Sequence, residues 1–200
     1  MTSAVLKQRA TVKTNTVKDS VCTITVEPVT FSRLWVGYPS GHPYLDVKGN
    51  TPPGFENQCA IKVSVALHAV GVEMKSFKGG SVLVKGKKVA TGAEELAAWL
   101  KKQPFCGLPS KPESIAGDDW QAKIKGRTGI IFFANYWLRK TDAQGRPTGD
   151  HIDLWNEWRL TASSLGSAGA TFVRFVLGRR TGPDISDLGK SSEILFWEIK

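Results

Sequence analysis

Cys59 is the residue of this sequence that could most readily act as a nucleophile. The apolar residues that follow it recur at the spacing of one helix face, namely Ala60, Val63 and Leu67. We therefore predict a helix that starts near Cys59, with Asn57 as its N-cap. Unpaired amides and the helix dipole stabilise a thiolate in a first turn, and the amide of Cys59 could help to bind an oxyanion. The alternative interpretation is a small, buried structural cysteine.

Three histidines could serve this thiol, and their positions separate them. His68 follows Cys59 by nine residues on the same predicted helix, half a turn out of phase and roughly 13 Å further along, so it cannot reach the sulfur. His42 lies in a turn-rich loop, where a turn role is the better interpretation. His151 begins a predicted strand and shares one strand face with Asp153. A cysteine on a helix packed against a histidine on a sheet is the arrangement of papain-like sites.

The elements that must position these groups are an early helix and a later series of strands. The helix is predicted to end near Gly71. Extended or apolar runs predict strands at 21–26, 129–137, 151–156, 159–163, 171–177 and 193–199. This order predicts an α+β domain in which the helix packs on an antiparallel sheet. We expect residues 1–200 to form a single domain, with residues 1–30 as an N-terminal extension or an extra strand.

The composition describes a folded and basic protein. Of its 200 residues, 41% are hydrophobic and 22% are charged, which argues against disorder. The net charge of +9 favours polyanions, such as nucleic acid, anionic lipid or the bacterial wall polymer. The basic residues are spread along the chain and no nucleic-acid motif accompanies them, so we do not expect a nucleic-acid partner.

The cysteines and the apolar segments limit the compartment and the cofactors. Three cysteines are too few for a disulfide framework, and Cys22 and Cys106 could either pair or remain free. No segment resembles a secretory signal or the ~20 apolar residues of a membrane span. We therefore expect synthesis in the cytoplasm, export without a cleaved leader and no membrane insertion. No zinc-ligand spacing is present, and no metal or organic cofactor is expected.

Four segments together resemble one known family. They are residues 55–67, 129–131, 149–156 and 193–197, and the likeness extends over about residues 30–200. The chain resembles the family 4 amidase effectors of type VI secretion. The resemblance implies an NlpC-type, papain-like fold and a cysteine peptidase that cuts peptidoglycan stem peptides between γ-D-glutamate and meso-diaminopimelate. It also implies an antibacterial toxin that the secretion machinery delivers into the periplasm of a rival cell, and an immunity protein in the producer.

The catalytic assignment that the resemblance implies has one open position. Cys59 would be the nucleophile and His151 the general base. Members of the family can carry an aspartate on the strand after the histidine strand, near Thr161 or Ala162 here, but no carboxylate stands there. The histidine still needs an orienting acceptor, for which Asp153 is the first candidate and Asn156 the second. A purely structural carboxylate at the sheet edge is the alternative for Asp153.

Aromatic side chains suggest further interpretations. Tyr38, Trp137 and Trp155 could line a substrate groove, although packing in the core explains tryptophans equally well. A different class of function is a non-catalytic basic module that binds wall glycan or nucleic acid. A cysteine transferase or protease on the same scaffold is a second enzymatic alternative.

Overall fold

The computed structural model describes residues 28–115, 117–138, 142–144, 146–161 and 187–200. Its helices, α1 to α4, are Phe31–Gly37, Cys59–Ala69, Ala93–Leu100 and Trp120–Lys123. Its strands, β1 to β7, are Ser81–Val84, Lys87–Ala90, Glu113–Ser114, Thr128–Trp137, Gly149–Asn156, Arg159–Leu160 and Glu193–Glu198. The strands predicted at 21–26 and 171–177 lie outside the described residues.

Five of these strands form an antiparallel sheet in the order β3-β7-β4-β5-β6. Strand β4 lies in the centre, as expected for its continuous apolar run. The predicted strands at 129–137, 151–156 and 193–199 correspond to β4, β5 and β7, and the one at 159–163 contains β6, while its residues 162 and 163 lie outside the described residues. The predicted α+β class, with a cysteine-bearing helix on an antiparallel sheet, is confirmed.

The two faces of the sheet carry separate apolar clusters. On one face, Ile152 and Leu154 of β5 pack in the same cluster as α2 and α3. The other face contains Ile131 and Phe133 of β4. In the β4–β5 register Ile131 lies opposite Asp153, and Phe133 lies opposite His151. The histidine and the aspartate therefore share the face that points away from α2, as their spacing of two residues predicts.

The prediction that Asn57 is the N-cap of α2 was wrong, because the helix begins one residue later than such a cap requires. The amide of Lys62 donates to the carbonyl of Gln58 at 2.9 Å, and this bond makes Gln58 the N-cap. The buried Gln58 side chain accepts from the amide of Tyr44 at 2.9 Å and donates to its carbonyl at 2.8 Å. This tertiary tether holds Gln58 outside the helix, and local sequence does not encode it.

Helix α1, which contains Phe31 and Trp35, packs closely against α2. A Cβ placed on Gly37 would lie 2.7 Å from the Cβ of Ala69, so only glycine fits between the helices without a shift. Helix α1 ends at Gly37, and Tyr38 follows in an extended conformation. The close contact with α2 thus fixes the end of α1, from which Tyr38 follows.

Candidate active site

Cys59 is the first residue of α2 and is 8% exposed. The N-terminus of this helix meets the edge of β5. Strand β6 pairs with β5 at Trp155 and Asn156, which leaves the earlier part of that edge to face the helix. The backbone N–H of Ile152 donates to the Cys59 sulfur from this edge. The thiol therefore lies at a seam between helix and sheet, as the sequence predicted.

His151 contacts both the thiol and a carboxylate. Its side chain, 22% exposed, hydrogen-bonds to the Cys59 sulfur. Its Nε2 lies 3.5 Å from Oδ2 of Asp153, a long contact of the kind seen in catalytic sites without substrate. Because Nε2 faces the carboxylate, Nδ1 is the nitrogen that faces the sulfur. The ring stacks on Phe133 at 6.4 Å and meets Tyr136 edge-on, so its plane is held on two sides.

Asp153, 4% exposed, is the carboxylate that the fold brings to His151. Its Oδ1 accepts from the amide of Leu154 at 2.8 Å and from the Thr161 hydroxyl. Its Oδ2 is the oxygen nearest to the imidazole. Asn156, the second candidate, lies five residues from His151 on the same strand and therefore on the opposite face. The structure thus places Asp153, and not Asn156, beside the histidine.

The electrostatics favour a thiolate–imidazolium pair. Burial alone would raise the pKa of the Cys59 thiol, but the hydrogen bond and charge of His151, together with the Ile152 amide, lower this pKa below its ordinary value. Burial alone would lower the pKa of His151, but hydrogen bonds to Asp153 and Cys59 raise it well above its ordinary value. Each group thus stabilises the charged form of the other.

Two polar side chains join this cluster without having been predicted in these roles. The Tyr38 hydroxyl hydrogen-bonds to Thr161 and Asp153, whereas the sequence suggested only a groove-lining role for Tyr38. Lys62, 8% exposed, lies one helical turn after Cys59. Burial lowers the pKa of Lys62, and the charges of Asp153 and Cys59 partly offset that effect. A lysine three residues after the thiol falls on the same helix face, so spacing alone could have found it.

The other candidate residues lie away from the thiol or serve packing. Nε2 of His68 lies 2.7 Å from the carbonyl of Lys88, which confirms its exclusion from the site. His42 is exposed, and its Nδ1 lies 2.8 Å from the Thr51 hydroxyl within the loop. Trp155 is buried, and its Nε1 donates to the carbonyl of Ile124, so it belongs to the core rather than to a groove.

The backbone amide of Cys59 is already engaged. It donates to Oδ1 of Asn57 at 3.3 Å, which is long for an N–H···O bond. The predicted use of this amide for an oxyanion therefore requires the Asn57 side chain to turn away. Such a change exchanges one weak hydrogen bond for a charge-assisted one.

The described residues hold no group of three or more histidine, cysteine or carboxylate side chains that could bind a metal ion. Cys106 is exposed and free, and its candidate partner Cys22 lies outside the described residues. No helix in the described part of the chain is long and apolar enough to cross a membrane.

Comparisons with known proteins agree on one family. A family model described as type VI secretion system amidase effector protein 4 (Tae4) matches residues 55–197. The crystal structure of the type VI effector Tae4 from Enterobacter cloacae is similar, with a TM-score of 0.54 and 19% identity over 88% of this chain and 98% of that chain. No curated protein matches this chain.

Two further solved structures show the same fold. Tae4 from Salmonella typhimurium in complex with the immunity protein Tai4 from Enterobacter cloacae has a TM-score of 0.54 and 17% identity, over 86% of this chain and 99% of that chain. The Tae4/Tai4 effector–immunity system from Salmonella typhimurium has a TM-score of 0.53 and 18% identity, over 88% of this chain and all of that chain.

Proposed function

Since this chain belongs to the type VI secretion amidase effector 4 family of antibacterial, peptidoglycan-cleaving enzymes, we propose that Cys59, His151 and Asp153 carry out the cleavage. The bond proposed is the one between γ-D-glutamate and meso-diaminopimelate in the stem peptide. Cys59 is the nucleophile, His151 the general base and acid, and Asp153 the acceptor that orients the imidazole.

The observation that carries this proposal is the continuous set of contacts across the helix–sheet seam. The Cys59 sulfur contacts the His151 imidazole, whose Nε2 faces Asp153. A buried structural cysteine has no need of a histidine partner or of a lowered pKa. These three side chains come from two elements and meet at one point, which favours chemistry over packing.

The reaction is an acyl transfer in two steps. The Cys59 thiolate attacks the carbonyl carbon of the scissile amide and forms a tetrahedral oxyanion. Imidazolium His151 donates its proton to the departing amine, the C–N bond breaks, and a thioester remains. His151, now neutral, takes a proton from water, and the resulting hydroxide attacks the thioester. The C–S bond breaks and returns the electron pair to sulfur, and the product leaves as a carboxylic acid that gives its proton to solvent. The regenerated Cys59 thiolate and the proton kept on His151 restore the ion pair.

The amide of Cys59 is the donor that we propose for the oxyanion. It points toward Oδ1 of Asn57 in the structure, across a bond long enough to be displaced. The N–H of Ile152 already contacts the sulfur and stabilises its negative charge before attack. The donor to the oxyanion and the donor to the sulfur are both backbone N–H groups. Neither therefore needs side-chain reorganisation beyond that of Asn57.

Membership of this family also bears on how the protein is delivered and how the producing cell is protected from it. We propose that the protein leaves the producing cell through the type VI machinery and acts in the periplasm of the target cell. Solved relatives include complexes with the immunity protein Tai4. We propose a cognate immunity protein for this effector too, since the producer also carries the substrate.

Replacement of the nucleophile tests the proposal. Cys59→Ala should abolish the release of new amine ends from purified sacculi, because no other group forms the thioester, while binding to sacculi survives. The products from defined muropeptides, identified by mass, report which bond is cut. Cys106→Ala, at an exposed free thiol, is the matched control and should keep full activity. Full activity of Cys59→Ala would instead support a non-catalytic binding module.

A further inference from the structure

We propose that Thr161 and Tyr38 are positioning residues that hold the Asp153 carboxylate in the orientation that His151 requires. The inference rests on the proposed function, because it concerns how that site is held. It assigns a role to two hydroxyl groups from separate parts of the chain, since Tyr38 directly follows α1 and Thr161 directly follows β6. Neither group contacts the sulfur or the imidazole through a hydrogen bond among the described contacts, so both act through Asp153.

The first observation is that the two oxygens of the Asp153 carboxylate have different partners. The hydroxyl of Thr161 and the amide of Leu154 both donate to Oδ1. With Oδ1 held by two donors, Oδ2 must point along the strand toward Nε2 of His151. The Leu154 amide alone leaves the carboxylate free to rotate, because a single hydrogen bond fixes a distance but not a plane. The Thr161 hydroxyl removes that freedom.

The second observation is that Tyr38 contacts both of these side chains. Its hydroxyl hydrogen-bonds to both Asp153 and Thr161, so the three side chains form a closed set. Burial and the negative charge of Asp153 raise the pKa of Tyr38 well above its ordinary value. The phenol therefore keeps its proton across the working range of pH and remains a donor to the carboxylate.

Thr161 also explains how the site works without a carboxylate on the strand after β5. The chain of β6 ends next to Asp153 and supplies a hydroxyl there, while β5 itself supplies the carboxylate. A second carboxylate at this position would repel Asp153 in a buried setting. A neutral donor instead satisfies the buried oxygen and leaves its charge for the histidine.

The titratable groups near His151 and Asp153 come from several packed elements. Strand β5 contributes His151 and Asp153, and β4 contributes Tyr136, which meets the imidazole edge-on. Helix α2 contributes Cys59 and Lys62, whose charges interact with Asp153. Loss of either hydroxyl leaves these charges in place and removes only the orientation of the carboxylate. Its effect should therefore appear in the histidine–thiol pair.

The test removes each hydroxyl while preserving the shape of its side chain. Thr161→Val and Tyr38→Phe are made in a Cys106→Ala background, which leaves Cys59 as the remaining thiol among the described residues. Thr161→Ser restores the hydroxyl and is the conservative rescue. Thr128→Val is a matched control, because the Thr128 hydroxyl donates to the carbonyl of Ile199 at 2.6 Å at the opposite end of the sheet. Tyr44→Phe is the control for loss of a phenol.

Two measurements report on the site. The first is kcat and KM on a defined muropeptide. The second is the rate of Cys59 alkylation by iodoacetamide as a function of pH, which needs no substrate. For Thr161→Val and Tyr38→Phe we expect kcat to fall about tenfold, as for the loss of one hydrogen bond to a charged group, with KM little changed. The midpoint of alkylation should move to higher pH, because an unsupported imidazolium stabilises the thiolate less.

The outcomes separate this inference from the proposed function. Parent-like alkylation profiles and kcat in both Thr161→Val and Tyr38→Phe would overturn the positioning role. Equal losses in Thr161→Ser and Thr161→Val would do the same, since they would show that the methyl group or the fold matters rather than the hydroxyl. Full activity of Cys59→Ala overturns the proposed function, whatever the Thr161 variants show. Parent-like behaviour of the Thr128→Val and Tyr44→Phe controls completes the expected pattern.

Discussion

At the scale of single residues, the site depends on charges that burial alone would suppress. Cys59 and Asp153 are each less than a tenth exposed, and desolvation disfavours the ionised form of an isolated buried group. His151 and Lys62 bring positive charge to the same place. The cluster therefore balances its charges internally, and removal of one member leaves another uncompensated.

The paired shifts predict how activity depends on pH. As pH falls through the lowered pKa of Cys59, the thiolate is protonated and attack stops. As pH rises through the raised pKa of His151, the imidazolium loses the proton that the leaving amine needs. We expect a bell-shaped rate profile, measured on a soluble muropeptide, with an acid limb below the ordinary titration range of a thiol and an alkaline limb above that of a histidine. A rate that rises steadily into alkali, as for an isolated thiol, would contradict the ion pair.

At the scale of elements, the site is a junction of α1, α2 and β5. The start of α2 meets the open edge of β5, and Tyr38, which follows α1, hydrogen-bonds to Asp153 of that strand. The two hydrogen bonds between Gln58 and the backbone of Tyr44 tie the intervening loop to the residue before the nucleophile. Each contact joins segments that are distant in sequence, so the site depends on the packing of whole elements.

Gly37→Ala tests the crossing of α1 and α2. Alanine has the higher helix propensity, by about 1 kcal/mol, but its methyl group would lie 2.7 Å from the Cβ of Ala69. We expect crowding to prevail and the free energy of unfolding in urea to fall by about 1–3 kcal/mol, with lower activity because Tyr38 is displaced.

Val36→Ala on the same helix is the matched control for this crossing. Val36 is 85% exposed, so its replacement should change the free energy of unfolding by less than about 0.5 kcal/mol. A Gly37→Ala variant as stable as the parent would show that the helices can separate at little cost.

At the scale of the whole molecule, the net charge of +9 suits a substrate that carries carboxylates. We predict that the Cys59→Ala variant binds sacculi less tightly as salt rises, because screening shortens from about 10 Å at 0.1 M to about 3 Å at 1 M. Co-sedimentation at increasing NaCl measures this, and sacculi with chemically amidated carboxylates are the control. If the affinity for sacculi changed with neither salt nor amidation, recognition would instead depend on uncharged contacts.

Local periodicity was enough to predict the parts of the site that lie within one element. An apolar repeat placed Cys59 at a helix start, and the two-residue alternation placed His151 and Asp153 on one strand face. The continuous apolar run at 129–137 predicted a buried strand, which is β4. The family resemblance added the pairing of thiol and imidazole. The helix start, the shared strand face and the buried strand depend on neighbours a few residues apart, which the order of the chain displays directly.

Tertiary structure decided the rest. The Ile152 amide, the Thr161 hydroxyl and the Tyr38 phenol reach the site because of strand register and helix crossing, and neither can be read from local spacing. The same holds for the tether of Gln58, which makes this residue the cap of α2, one residue after the predicted cap Asn57. The chain alone shows which groups could react, whereas contacts between distant segments determine which groups hold them in place.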